Sequence, residues 1–102
     1  MLVNKTLKNN DIITLKLVTS EEVICKLIEE NTTEYRITKP LVLTLSSQGA
    51  AMTPFLFTAD LSGEIGIPKT AVVAVAVTDK TTSDQYIKGT TGIEPAPSGL
   101  IV

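Results

Sequence analysis

The stretch Ile13-Thr14-Leu15-Lys16-Leu17-Val18-Thr19-Ser20-Glu21-Glu22-Val23-Ile24-Cys25-Lys26-Leu27 decides the fold. Ile13, Leu15 and Leu17 share one face, with Thr14 and Lys16 opposite, which is the period of two of a half-buried strand. Val18-Thr19-Ser20-Glu21 is polar and turn-like. Val23, Cys25 and Leu27 then fall on one side while Lys26 points to the other. Two such runs around a short polar break predict a β-hairpin.

Downstream, Glu29-Glu30-Asn31-Thr32-Thr33-Glu34 reads as an acidic loop. It leads to a long third strand with Tyr35, Ile37, Leu41, Leu43 and Leu45 on one face. Pro40 lies inside that run and cannot donate to a ladder, so a bulge or sharp bend is expected there. Ser46-Ser47-Gln48-Gly49-Ala50 is a small-residue loop. Met52 to Leu61 resumes extended structure with Phe55, Phe57, Ala59 and Leu61 on one face, and Pro54 marks it as an exposed edge. Gly63-Glu64-Ile65-Gly66 has the spacing of a KH-type clamp but carries an acid where a backbone-binding loop wants a base, and reads as a turn. Pro68-Lys69-Thr70 turns into Ala71 to Val77, whose unbroken apolar character predicts burial on both faces and two neighbouring strands.

Thr82-Ser83-Asp84-Gln85 has capping-box spacing. Thr82 is the expected N-cap of a short helix holding Tyr86 and Ile87 and ended by Gly89. The expected organisation is an arm over 1–10, a β-barrel over 11–78, a short helix over 79–90 and a tail over 91–102 tipped by Leu100-Ile101-Val102. Five strands joined by short loops, one of them sharply bent, predict a mainly β chain: a five-stranded, strongly bent antiparallel small barrel with a short C-terminal helix.

Composition narrows the chemistry. The chain has 102 residues, 43% hydrophobic and 20% charged, with nine Lys and Arg against eleven Asp and Glu for a net charge of -2. A chain of this size hides only about 60–65% of its unfolded surface, so it is one compact domain or shares surface with copies of itself. With no His and a single Cys25, an intramolecular disulfide, a four-ligand zinc site and His-activated nucleophiles have nothing to build them. Cys25, among Val23, Ile24 and Leu27, reads as a small core hydrophobe. No phosphate-binding glycine loop, nucleophile elbow or supported carboxylate pair is present. The expectation is a non-enzymatic chain without cofactor. Ala71 to Val77 is too short to span a bilayer, and polar residues break up the N-terminal stretch, so no membrane partner and a cytoplasmic location are expected.

Ile13 to Leu45 resembles the first motif of the Sm-like (Lsm) family in the spacing of its hairpin, and Ile67 to Val77 looks like the second. Ser20 and Cys25 stand where the family usually has glycines. The resemblance implies an Sm-like or SH3-like small barrel that assembles into homo-oligomeric rings, the fourth strand of one subunit pairing with the fifth of the next. It implies subunit contacts from Met52 to Leu61 and Ala71 to Val77, with Phe55, Phe57, Val73 and Val75 as the contact residues. The family binds RNA through an Asp and an Asn flanking a stacking residue, and through an Arg-Gly pair. The corresponding positions here fall near Asn31, Thr33 and Tyr35, with Pro68-Lys69 in place of Arg-Gly, so that signature is not preserved.

Asn31, Tyr35 and Lys69 are therefore the candidate contacts to RNA or single-stranded nucleic acid. Tyr35 heads an apolar alternation and reads as core, or as a stacking platform if turned to a pore. Glu29, Glu30 and Glu34 crowd the same loop and would repel phosphate. Two functions follow: a ring module that binds nucleic acid, or a structural component of a larger particle that binds none.

Overall fold

The computed structural model describes residues 7–91. Six strands and one helix follow in order: β1 Ile12–Leu17, β2 Glu22–Glu30, β3 Glu34–Ser46, β4 Gly49–Pro54, β5 Glu64–Pro68, β6 Val72–Val77 and α1 Lys80–Thr90, with a 3-10 turn at Lys69–Ala71 before β6. The arm expected over 1–10 and the tail expected over 91–102 lie outside the described residues, apart from residues 7–10 and Thr91.

The chain is mainly β and antiparallel. The opening hairpin forms with Ile13 opposite Cys25 and Leu15 opposite Val23. Its turn closes through Ser20, whose φ of 88° lets its N–H reach the Leu17 carbonyl at 2.8 Å. The inward residues of this hairpin join Tyr35, Ile37 and Ile67 in one core.

In β3 an extra residue changes the parity of the strand. Ile24 pairs with Leu41 and Lys26 with Thr38, so Lys39 and Pro40 both stand against Cys25, and Lys39 has φ 53°. One inserted residue sends every later side chain to the other face. Tyr35 and Ile37 face the core, but beyond the bulge it is Val42 that packs against it. The expectation that Leu41, Leu43 and Leu45 continue the face of Tyr35 is thus corrected. Leu41 and Leu43 instead line a cleft of about 510 Å³ with Ala50 to Met52 and with Thr82, Gln85 and Gly89 of α1.

The bulge also divides β3 between two partners. Residues Glu34 to Thr38 pair with β5, and Leu41 to Ser46 with β4. The long extended segment expected over Met52 to Leu61 ends at Pro54, and the turn expected at Gly63 to Gly66 is mostly strand. Gly66 fits there because a Cβ at this position would collide with the Glu34 carboxylate.

Sheet order is β4-β3-β2-β1-β6, with β5 also on β3. Six strands replace the expected five, and the sheet is not closed into the expected barrel. Pro68 and the 3-10 turn bring Ala71 under the Val18 N–H at 2.9 Å and so deliver β6 to the edge of β1. Among the described residues no ladder then joins β6 to β4 or β5. The expected burial of Ala71 to Val77 on both faces fails for the same reason. Val72 and Val75 pack on the core, while Ala74 and Ala76 are exposed and Val73 is 63% exposed.

The helix starts earlier than expected. Asp79 is the N-cap, accepting from the Thr82 N–H at 2.9 Å, and the Thr82 hydroxyl donates to its other oxygen at 3.1 Å. Thr82 is therefore the third helical residue rather than the cap. Gly89 lies inside the helix, which ends at a C-cap on Thr91. Tyr86 is buried at 1% exposure, whereas Ile87 is exposed.

Candidate functional site

The three residues that sequence reasoning picked for nucleic acid come together at one end of the sheet. Between β2 and β3 the chain reverses through Asn31, whose side-chain oxygen accepts from the N–H groups of Thr33 at 3.0 Å and Glu34 at 2.9 Å. Its own N–H donates to the Glu34 carbonyl at 3.0 Å, which makes a side-chain-stabilised turn. The Thr33 carbonyl accepts from the Lys69 N–H at 2.8 Å. That bond ties the β2–β3 turn to the 3-10 turn after β5. Lys69 then lies over the Tyr35 ring, its Nζ 5.2 Å from the centroid and 2.7 Å from Glu30 Oε2.

Each of the three is already engaged. The Asn31 amide oxygen serves the turn, the Tyr35 ring is 8% exposed in the core, and the Lys69 ammonium is shared between a ring face and a carboxylate. Beside them, Arg36 bridges Glu34 at 3.1 Å and Glu64 at 3.2 Å, hydrogen bonds that hold its guanidinium still more firmly protonated. Arg36 was not singled out in the sequence, and Glu64 was read there as the acid of a turn. The alternation that sends Tyr35 and Ile37 inward puts Arg36 outward, and that was the available signal. Among the described residues Glu29, Glu30, Glu34 and Glu64 stand with two cations here, Arg36 and Lys69, so this end offers phosphate little attraction.

The four expected contact residues divide evenly. Phe55 and Val75 are partly buried against the chain's own core. Phe57, outside any strand, is 82% exposed, and Val73 is exposed at the β1–β6 bulge. Among the described residues β6 is hydrogen-bonded on one side only, by β1, and β5 only by β3. Each leaves a row of unpaired backbone donors and acceptors. Natural edges are usually blunted by charge or proline, but β6 reads Val-Val-Ala-Val-Ala-Val.

Cys25 is buried with its Sγ 3.9 Å from the Ile13 carbonyl, and burial pushes its thiol up to about 12. Such a thiol is no nucleophile at neutral pH. Among the described residues no group of three or more His, Cys, Asp or Glu side chains is arranged to hold a metal. No helix among them is long and apolar enough to cross a membrane. No family model matches the chain, and no curated protein matches it.

Proposed function

We propose that the chain is a non-enzymatic, Sm-like assembly module whose copies join edge to edge into a closed homo-oligomer. The observation that carries this reading is the unblunted apolar edge of β6 together with the open edge of β5. One copy's β6 beside the next copy's β5 satisfies both rows of backbone groups. A head-to-tail contact of this kind leaves neither of these two edges free if the rotation closes. Val73 then meets a partner instead of water. Light scattering of the purified chain tests it: a defined multiple of 10.9 kDa supports the module, and a monomer at micromolar concentration overturns it.

Of the two uses for such an assembly, the building block of a larger particle is favoured over an RNA platform at the β2–β3 turn. The supporting observation is the pairing of Lys69 with Glu30 beside an already buried Tyr35. Nucleic acid at this turn remains the second reading, favoured by the convergence of Asn31, Tyr35 and Lys69. Filter binding with single-stranded RNA at about 50 mM salt, where phosphate contacts are strongest, separates the two. Retention of RNA that is lost on Lys69→Glu supports the platform; no retention supports the building block.

A further inference from the structure

A second cleft opens on the far side of Tyr86. It has a volume of about 240 Å³ and is lined by Asn10, Ile12, Lys26, Lys39, Tyr86, Ile87, Thr90 and Thr91. Its walls are cationic, neutral polar or apolar, with no carboxylate among them, in a chain where acids outnumber bases. Lys26 and Lys39 are half-buried, whereas Lys8, Lys16 and Lys88 are exposed. Among the described residues neither Lys26 nor Lys39 is ion-paired, although Arg36, Lys69 and Lys80 all are.

Nor are the two ammonium groups needed to cap α1. The Tyr86 carbonyl accepts from the Thr90 hydroxyl at 2.8 Å, and the Ile87 carbonyl from the Thr91 N–H at 3.0 Å. The backbone supplies an independent pointer. Three non-glycine residues among those described have positive φ, and two of them, Asn10 at 77° and Lys39 at 53°, line this one cleft. Asparagine tolerates that conformation, but lysine is strained in it where glycine would not be. Strained backbone held by its surroundings gathers at functional sites.

We propose that this cleft binds a phosphate group, with Lys26 and Lys39 as its two cationic contacts and Ile12 and Ile87 flanking the organic moiety that carries it. Two lysines lining one cleft without a carboxylate suit a dianionic or bridging phosphate as point charges. The cleft is too small for a whole polymer and fits one phosphate with its adjoining sugar. The source is a free nucleotide or one phosphodiester of a single strand. This site stands apart from the β2–β3 turn and from the β5 and β6 edges.

The full-length chain, titrated with inorganic phosphate, adenosine monophosphate and a fifteen-residue oligothymidylate at about 50 mM salt, tests the proposal by amide chemical shifts. Saturable shifts at Asn10, Lys26, Lys39 and Thr91 are expected. Oligothymidylate binding at least tenfold tighter than the mononucleotide assigns the site to single strands, and equal or weaker binding to free nucleotides. Absence of saturable shifts with all three overturns the proposal.

Lys39→Gly removes the ammonium while relieving the backbone, so it should fold at least as stably yet weaken binding fivefold or more. Lys26→Met should weaken it similarly. Each should flatten the slope of log affinity against log salt for the oligonucleotide by about 0.7. Equal weakening by Lys16→Met, an exposed lysine outside the cleft, would reduce the effect to net charge and overturn the assignment. Light scattering on the same samples reads the assembly proposal separately.

Discussion

The Tyr86 hydroxyl donates to the Lys39 carbonyl at 2.5 Å, joining the buried centre of α1 to the bulge of β3. The bulge takes that carbonyl out of the β2 ladder, and the helix supplies the donor that the strand cannot. A buried carbonyl left without a donor costs about 1–3 kcal/mol. Tyr86→Phe keeps the ring and removes only that donor, so a loss in this range is expected in urea unfolding, with the helix retained by circular dichroism. An unchanged unfolding midpoint would mean that the carbonyl is served by water instead.

Asp79→Ala should destabilise the chain by about 0.5–2 kcal/mol, the usual cost of an N-cap. That corresponds to several degrees in melting temperature for a domain of this size. Thr82→Ala leaves the Asp79 bond to the Thr82 N–H in place and should cost less than half as much. Equal losses would return the cap to Thr82.

Alkaline stability reports Cys25. Its folded thiol is raised to about 12 from an ordinary value of 9.0, so the unfolded chain releases this proton first. Its contribution is complete below pH 9 and is lost between pH 9 and about 12, at about 1.4 kcal/mol per pH unit. Stability curves of the parent and of Cys25→Ala should therefore converge as pH rises through this window. Parallel curves would exclude the buried thiol as the cause.

Gly66→Ala should displace the Glu34 carboxylate from the space above β5 and release its bridge to Arg36. The pair is about a third exposed, so a loss of at most about 1 kcal/mol is expected. Adding Glu34→Gln to that variant should cost nothing more. A full second loss in the double-mutant cycle would show that the two positions act independently.

Val73→Lys places a charge on the bulged edge of β6 without touching the residues that face the core. The expected product is a folded monomer, seen by light scattering together with an unchanged β spectrum. An oligomer of unaltered mass would move the subunit contact elsewhere.

Much of the fold was legible because the signals are local. The alternation of Ile13, Leu15 and Leu17, and then Val23, Cys25 and Leu27, needs no partner to be read. Pro40 announced a bulge, but not that one inserted residue would turn Leu41 and Leu43 away from the core. That depends on Lys39 adopting positive φ, a conformation disfavoured for lysine. β5 was hidden because Gly63 and Gly66 imitate a turn, and the close approach at 66 comes from the carboxylate of Glu34, a residue 32 positions earlier. The apolar run of β6 misled for a related reason: composition records what a strand would bury, not whether its own chain supplies the cover. At the candidate site, Asn31, Tyr35 and Lys69 could be named from the sequence as expected nucleic-acid contacts. Their engagement by the turn, the core and Glu30 could not be read there, since each partner is fixed by cross-strand geometry.

The division of β3 between two partners has a kinetic consequence. β4 is exposed along most of its length and is held by β3 alone, whereas the first half of β3 is locked between β2 and β5 over buried Tyr35 and Ile37. Local opening follows such differences in burial. Amide hydrogens of Thr44 to Thr53, which lie beyond the β2 ladder, should exchange with solvent through fraying of a single hairpin, while those of Tyr35 to Thr38 wait for global unfolding. Leu43, where the β2 ladder ends, thus marks the border between two zones of protection within one continuous strand.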